Sequence, residues 1–185
     1  MSARAAATAL TLFALAAPVH AQRTAPVLVD PAAVPPALPK VTPPMKVRVI
    51  DGRTFADLQT GEAFRLFAID VCTLDQHAEL DGQPWPCGVV STSWLAQATL
   101  GQWVLCNRLR ALPGVTLARC ATARQPDVAA AMIVQGLAIT TQDPEMPTPA
   151  EYKQLDATAR RSFQGIWHSQ FEMPWVYRAH AGAAP

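Results

Sequence analysis

The sequence has almost no excess of charge of either sign. It contains 15 Lys and Arg residues against 14 Asp and Glu residues. Arg4 lies in an N-terminal segment typical of a cleaved leader, and its loss would leave 14 basic and 14 acidic side chains. A dedicated nucleic-acid binder usually has a cationic surplus, because neutralised phosphates and released counterions supply most of its affinity. The composition therefore gives only a weak case for a nucleic-acid partner.

The sequence also lacks an apolar run long enough to span a membrane. The run from Ala5 to Ala17 stops before Pro18, whereas a spanning helix needs about 20 apolar residues. It follows the early cation Arg4 and leads into Val19-His20-Ala21, a small-residue cleavage pattern. We therefore predict a signal peptide over residues 1–21, no membrane span, and a periplasmic or secreted protein.

No pair of the four cysteines has the two-residue spacing of a zinc motif, so a metal site is the weaker interpretation. An even number of cysteines in an oxidising compartment favours two disulfides, for which three pairings are possible. Cys106 and Cys120 lie in apolar-rich runs on either side of Ala111-Leu112-Pro113-Gly114, and they would face each other if these runs form a hairpin. The hairpin favours the pairs Cys106–Cys120 and Cys72–Cys87.

The composition changes near residue 45. Residues 22–44 contain seven prolines among Ala and Val, which is typical of a semi-rigid, polyproline-like leader. We predict that this leader is disordered and that one folded domain occupies residues 45–178. Residues 179–185 are predicted to form a flexible tail.

The apolar pattern of the domain predicts an α+β fold. Alternation of polar and apolar residues, together with short apolar runs, indicates five strands. Apolar residues at helical spacing indicate three helices. Small β-barrels with a helix between strands three and four belong to the oligonucleotide/oligosaccharide-binding class, the OB-fold. The predicted strands are residues 46–50, 54–58, 64–69, 102–108 and 115–120, and the predicted helices are residues 89–100, 127–137 and 149–166.

A set of motifs between residues 47 and 178 occurs in the order and spacing of one known family. They are VIDGRTF (49–55), FRLFAID (64–70), PWPCG (84–88), GVTLARC (114–120), DVAAAMIVQGLA (127–138) and GIWHSQFEMPWVYR (165–178). In these motifs the chain resembles the staphylococcal (thermonuclease-type) nuclease family, especially exported bacterial members with cysteines. The resemblance implies a five-stranded OB-fold barrel with three helices. It also implies an ancestry in calcium-dependent phosphodiester hydrolysis.

The resemblance assigns five functional positions, of which two keep the family's residue. Arg65 matches a phosphate-binding arginine, and Asp70 matches a metal-binding carboxylate. Arg53 stands where the family has a second metal-binding Asp. Thr73 stands in place of the Glu proposed as general base, and a threonine cannot accept a proton near neutral pH. Val115 replaces the second catalytic arginine.

Replacing a carboxylate by a cation changes what the pocket can bind. Two carboxylates attract a divalent cation, whereas one carboxylate beside an arginine is already neutralised. A further cation would then meet a repulsion of several kcal/mol at partly desolvated contact distance. We expect Arg53 to pair with Asp70 in the space of the metal, and we expect no cofactor.

These replacements leave the enzymatic status open, because a fold does not fix a function. The leading hypothesis is a pseudoenzyme, an exported thermonuclease-family domain that binds a partner or has a structural role. The alternative is an active secreted nuclease with an altered calcium site and Asp75 or Glu79 as base. A third hypothesis is an envelope module that recognises oligosaccharide or protein on the barrel face. Four of the five tryptophans, Trp175 among them, are predicted to pack rather than to stack on bases, and the partner and the oligomeric state stay unspecified.

Overall fold

The structure is a computed structural model that describes residues 40–141 and 147–183, all within one compact unit. The predicted signal peptide and most of the predicted leader lie outside the described residues. The last helix, Pro174–Ala183, continues beyond Arg178, the predicted end of the domain. The strands are β1 Val47–Asp51, β2 Thr54–Asp57, β3 Ala63–Leu66, β4 Ile69–Asp70, β5 Ala78–Leu80, β6 Gln83–Trp85, β7 Leu105–Leu112, β8 Val115–Ala121 and β9 Ile139–Thr140. The helices are α1 Cys87–Thr99, α2 Val128–Val134, α3 Ala150–Arg161 and α4 Pro174–Ala183, with a 3₁₀ helix at Gly165–His168.

Five of the strands form one sheet, in the order β1-β2-β3-β8-β7. Strands β3 and β8 are parallel, and the other neighbours are antiparallel. The predicted α+β class and the five-stranded sheet are therefore confirmed. Within residues 40–141 and 147–183 the sheet does not close into a barrel. The segments that precede the edge strands β1 and β7 meet at one isolated bridge, between Met45 and Val104.

The predicted third strand, residues 64–69, is divided in the structure. Strand β3 ends at Leu66, and Ala68 has a φ of 61°. A non-glycine residue in this left-handed region interrupts an extended strand. Strand β4 then pairs with β9 in a separate ladder, in which Asp70 lies opposite Ile139. The break carries Asp70 away from the main sheet.

The predicted hairpin is present, and it brings two cysteines together. Strands β7 and β8 are antiparallel, with Cys106 opposite Cys120, and a disulfide joins them. A second disulfide joins Cys72, just after β4, to Cys87 at the start of α1. Both predicted pairings are therefore found, and two disulfides are consistent with an exported protein.

The described residues contain four α-helices, whereas the sequence predicts three. The predicted helix over residues 149–166 ends at Arg161, because Phe163 and Gly165 both have positive φ angles, of 52° and 54°. The following 3₁₀ helix is separate from it. The additional helix is α4, and none of the helices in the described part of the chain is long and apolar enough to cross a membrane.

The ordered structure begins before residue 45, the predicted start of the domain. The backbone N–H of Thr42 donates to the Cys106 carbonyl, and the Thr42 hydroxyl accepts from the Cys106 N–H. The Lys40 carbonyl accepts from Arg108 N–H. The last residues of the predicted leader therefore cover the outer edge of β7.

The main core lies between the sheet and helices α1, α2 and α3. Its largest fully buried side chains include Phe55, Phe64, Leu95, Met132 and Tyr152. Burying a side chain of this size contributes roughly 2 kcal/mol.

A second, smaller cluster packs Ile139 and Ile166 against the Cys72–Cys87 disulfide. Ile139 is the residue that pairs with Asp70 across the β4–β9 ladder. Together, the ladder and this cluster fix the backbone on both sides of Asp70.

Candidate functional site

Asp70 is the central residue of the candidate site. Its side chain keeps only 2% of its accessible surface. The next residue in the chain provides one hydrogen bond, because the Val71 backbone N–H donates to Oδ1 at 2.9 Å. Burying a carboxylate at this depth requires further donors or a cation, since an unpaired buried charge is very costly.

Arg53 is the first of two arginines that pair with Asp70. It lies in the turn between β1 and β2, where its backbone N–H donates to Asp51 Oδ1 at 2.9 Å. From this turn the guanidinium reaches the buried carboxylate, and Arg53 Nη1 lies 2.9 Å from Asp70 Oδ1. Arg53 Nη1 also approaches the Ile69 carbonyl at 3.5 Å. The ion pair expected from the sequence is therefore present.

Arg178 is the second arginine, and it was not among the site residues predicted from the sequence. Its Nη1 donates to Asp70 Oδ1 at 3.1 Å, and its Nη2 donates to Oδ2 at 2.5 Å. The contact is a two-point pairing of guanidinium and carboxylate, the strongest geometry for such a pair. Arg178 lies on α4, within the closing motif of residues 165–178. The residues around Arg178 in this motif form no pattern that would predict a contact with Asp70, which lies 108 residues earlier in the chain.

The three arginines at the site affect one another. Burial lowers the pKa of Arg53 from its ordinary value, and the neighbouring charges of Arg65 and Arg178 lower it further. The charges of Asp70 and Asp51 act in the opposite direction and raise it. The site is therefore crowded with cations that two carboxylates only partly compensate.

A divalent cation does not fit these residues. The carboxylate of Asp70 already accepts from Arg53, Arg178 and the Val71 N–H. A calcium ion takes six to eight oxygen ligands. Among residues 40–141 and 147–183, no group of three His, Cys, Asp or Glu side chains could hold a metal ion. The cationic side chains occupy the only carboxylate that the family resemblance assigns to metal binding.

Arg65 lies on β3 next to this cluster, paired in register with Thr54 of β2. Its Nε atom is buried and has no hydrogen-bond partner among the described residues. Arg53 and Arg65 line a common cavity of about 200 Å³, together with Leu112, Leu117 and Thr141.

A second, larger cleft adjoins the first at Arg53 and Thr141. Its volume is about 430 Å³, and Arg53, Asp70, Thr141, Trp175 and Arg178 line it. Trp175 is 44% exposed, so it contributes an open aromatic surface to the cleft. The packing role predicted for this tryptophan from the sequence is therefore incorrect.

Thr73 and Val115, at the other two matched positions, line neither of these cavities. The Thr73 backbone caps a turn, in which its carbonyl accepts from the Gln76 N–H. Val115 opens β8 opposite Leu112. The structure therefore brings Arg53, Arg65 and Asp70 together and leaves these two positions without an acid, a base or a cation.

The loop carboxylates that could replace the missing base lie in a different environment. Asp75 accepts a hydrogen bond from the Tyr177 hydroxyl at 3.3 Å, in an exposed position. Glu79 lies on β5, where its backbone pairs with Gln170. Neither residue lines the arginine clefts.

Comparison with known proteins adds no assignment: no protein-family model matches the chain, and no curated protein matches it. The site therefore has to be interpreted from its own geometry. That geometry is a buried carboxylate held by two arginines, beside a third arginine with an unused buried donor.

Proposed function

We propose that this protein is an exported, non-catalytic member of the staphylococcal nuclease family with an OB-fold domain. It acts as a binding or structural module and does not hydrolyse phosphodiesters with calcium. The observation that carries the proposal is the pairing of Asp70 with both Arg53 and Arg178.

Metal-dependent hydrolysis has two chemical requirements that the matched positions of this chain do not meet. It needs a bound cation to polarise the phosphate and a base to activate water. Here the carboxylate that matches the metal ligand is neutralised by arginines, and the position that matches the base carries Thr73. Both requirements therefore go unmet at the matched positions.

The export part of the proposal rests on two features. One is the leader-like pattern of residues 1–21, and the other is the pair of disulfides. Disulfides of this kind persist in oxidising compartments and are rare in the cytosol.

A nuclease assay on the full, oxidised chain tests the proposal. Single-stranded and double-stranded DNA are incubated with calcium or with chelator, and released nucleotides are measured for the wild type, Asp70→Ala and Asp75→Ala. We expect no chelator-sensitive release above the Asp70→Ala background. Robust calcium-dependent release that Asp70→Ala abolishes would overturn the proposal. Release that Asp75→Ala alone abolishes would also overturn it, in favour of an altered active site.

A further inference from the structure

Three of the five most exposed large apolar side chains among the described residues lie together at one end of the main sheet. They are Leu100, Leu58 and Trp103, which keep 78%, 61% and 58% of their accessible surface. Leu58 directly follows β2, whereas Leu100 and Trp103 lie in the connection from α1 to β7. With Lys46, which lies between them, these residues form what we call the tryptophan patch. Exposed apolar residues that are scattered singly need no explanation, whereas a group of them marks an interaction surface.

Leu58 belongs to the patch because it lies opposite Lys46. Val47 pairs with Asp57 in the antiparallel β1–β2 ladder, so Lys46 and Leu58 occupy the next rung. The Leu58 N–H donates to the Lys46 carbonyl at 2.9 Å, which confirms the register. Directly opposed residues of an antiparallel pair point to the same face. The side chains of Lys46 and Leu58 are therefore neighbours on the surface.

Trp103 lies opposite Lys46 on its other side. An isolated antiparallel bridge joins Met45 to Val104, and both of these side chains are buried. Because side chains alternate between the two faces of an extended chain, Lys46 and Trp103 point the other way, towards solvent. Lys46 Nζ lies 4.3 Å from the centre of the Trp103 ring and donates to the Gly101 carbonyl at 2.8 Å. The ammonium group is thus held over an open indole ring.

The charges of the patch favour an anionic partner. Lys46 lies at its centre, and Arg48 is exposed two residues further along β1, on the same face of the strand. The cores of protein–protein interfaces are depleted of lysine. In a two-fold dimer centred on the patch, Lys46 of one copy would also approach Lys46 of the other. A second copy of the chain is therefore a poor match for this surface.

The composition of the patch matches the boundary between a lipid bilayer and water. Tryptophan is enriched at this boundary, where its ring is buried and its N–H reaches polar headgroups. The lysine stem can lie along apolar groups while its ammonium contacts the headgroups. Binding at such a surface depends on the apolar area that is buried and on the attraction of basic residues to anionic lipids. Leu58, Leu100 and Trp103 supply the first, and Lys46 and Arg48 supply the second.

We propose that the tryptophan patch is a peripheral membrane-binding surface that inserts Leu58, Leu100 and Trp103 among the headgroups of a bilayer containing anionic lipids. The patch lies at the start of β1, whereas Arg53 and the candidate site lie beyond its other end. Binding to lipid would therefore leave the arginine clefts open. The inference is independent of the proposed lack of nuclease activity.

The test is co-sedimentation of the oxidised protein with lipid vesicles. The protein is used after removal of the predicted signal peptide, residues 1–21, whose apolar run would itself bind lipid. Vesicles of phosphatidylglycerol and phosphatidylethanolamine are compared with vesicles of phosphatidylcholine. We expect binding to the anionic vesicles that weakens as salt is added. Trp103→Ala should weaken this binding about tenfold or more, because the buried apolar area is lost, and Lys46→Gln should weaken it about fivefold.

Phe163→Ala is the matched control, because it removes another exposed aromatic ring that lies after α3 and outside the patch. It should leave vesicle binding within about twofold of the wild type. The absence of binding to anionic vesicles at low salt would overturn the inference, and so would equal weakening by Trp103→Ala and Phe163→Ala. A dimer in analytical ultracentrifugation that Trp103→Ala dissociates would also overturn it, in favour of a second copy on the patch. None of these results bears on the nuclease assay.

Discussion

At the scale of single residues, Asp70 connects three distant parts of the chain. It belongs to β4, it pairs with Arg53 in the first turn, and it pairs with Arg178 on α4, 108 residues further along. Removing one partner of a buried ion pair costs about 3–5 kcal/mol, because a desolvated charge is left uncompensated. The residue that resembles a metal ligand is therefore an electrostatic anchor for the C-terminal helix.

The presence of two arginines determines what a calcium site at Asp70 would require. Arg53→Asp alone adds a second carboxylate but leaves Arg178 paired with both oxygens of Asp70. We expect no measurable gain in calcium affinity from this single variant. Adding Arg178→Ala frees Asp70, and the double variant should bind calcium at least about tenfold more tightly than the single one, since one repulsive charge is removed at contact distance. Calorimetric calcium titration measures both.

Arg178→Ala alone is the control for that comparison, because it frees Asp70 from α4 while Arg53 still holds the carboxylate. It should bind no more calcium than the wild type. If Arg53→Asp alone binds calcium as tightly as the double variant, Arg178 does not block the ion.

The sequence predicted one half of this cluster. Arg53 and Asp70 could be placed together because the family resemblance assigns both positions to one metal site. The contact of Arg178 could not be predicted, since nothing in a local pattern specifies a side-chain partner 108 residues away. The unused buried donor of Arg65 is likewise visible only once burial is known.

At the scale of secondary-structure elements, the positions where strands and helices are interrupted were harder to predict than the strands and helices themselves. Residues 64–69 are apolar almost throughout, so the sequence gives no sign that Ala68 has a positive φ. In contrast, the β7–β8 hairpin has a clear turn signal in Pro113-Gly114, and its register places Cys106 opposite Cys120. Helix α4 was missed because, among its residues 174–181, Pro174 is the one that is buried, so no apolar stripe marks it.

Helix α1 depends on a glycine for its close approach to the loop after Asp70. A Cβ atom at Gly88 would lie 1.7 Å from the Thr73 carbonyl oxygen. The Cys72–Cys87 disulfide holds both segments, so neither can retreat freely. Alanine gains up to about 1 kcal/mol over glycine inside a helix, but a backbone clash costs more than that. We expect Gly88→Ala to lower the free energy of unfolding by about 2 kcal/mol or more in urea denaturation.

Gly101→Ala is the matched control for this prediction. Gly101 has a φ of 69°, and no atom lies within 4 Å of the position of an added Cβ. Gly101→Ala should therefore lower the free energy of unfolding only by the cost of the left-handed conformation, about 1–2 kcal/mol. A Gly88→Ala variant as stable as the wild type would show that α1 can shift away from Thr73.

At the scale of the whole molecule, the limits of the folded unit depend on long-range pairing. The proline content of residues 22–44 predicted a leader outside the fold, yet Val41 and Thr42 pair with the edge strand β7. Amino-acid composition indicates how stiff a segment is. It does not indicate that an exposed strand edge lies nearby, and it is the hydrogen bonds to that edge that hold these residues in the fold.

Glu62 links the middle of the main sheet to the edge strand β7, and it makes stability depend on pH. It lies just before β3, and its carboxylate accepts from Arg108 of β7 at 3.0 and 2.6 Å and from Thr116 of β8 at 3.1 Å. The hydrogen bond from Arg108 is the main cause that lowers the pKa of Glu62 below its ordinary value of 4.5, with a smaller contribution from Thr116. Burial and the charge of Asp57 oppose this shift.

A lowered folded-state pKa means that the folded protein binds fewer protons than the unfolded chain. The contribution of Glu62 is therefore complete above pH 4.5 and is lost as the pH falls through the lowered value. Glu62→Gln should reduce the free energy of unfolding at pH 7 and flatten its decline below pH 4.5, measured by urea denaturation at a series of pH values. Glu151→Gln is the control, because Glu151 is 57% exposed in its pair with Arg119 and such surface pairs contribute little. Parallel pH profiles for the wild type and Glu62→Gln would mean that Arg108 does not hold Glu62 ionised. The connection across the sheet would then stabilise the fold by packing alone.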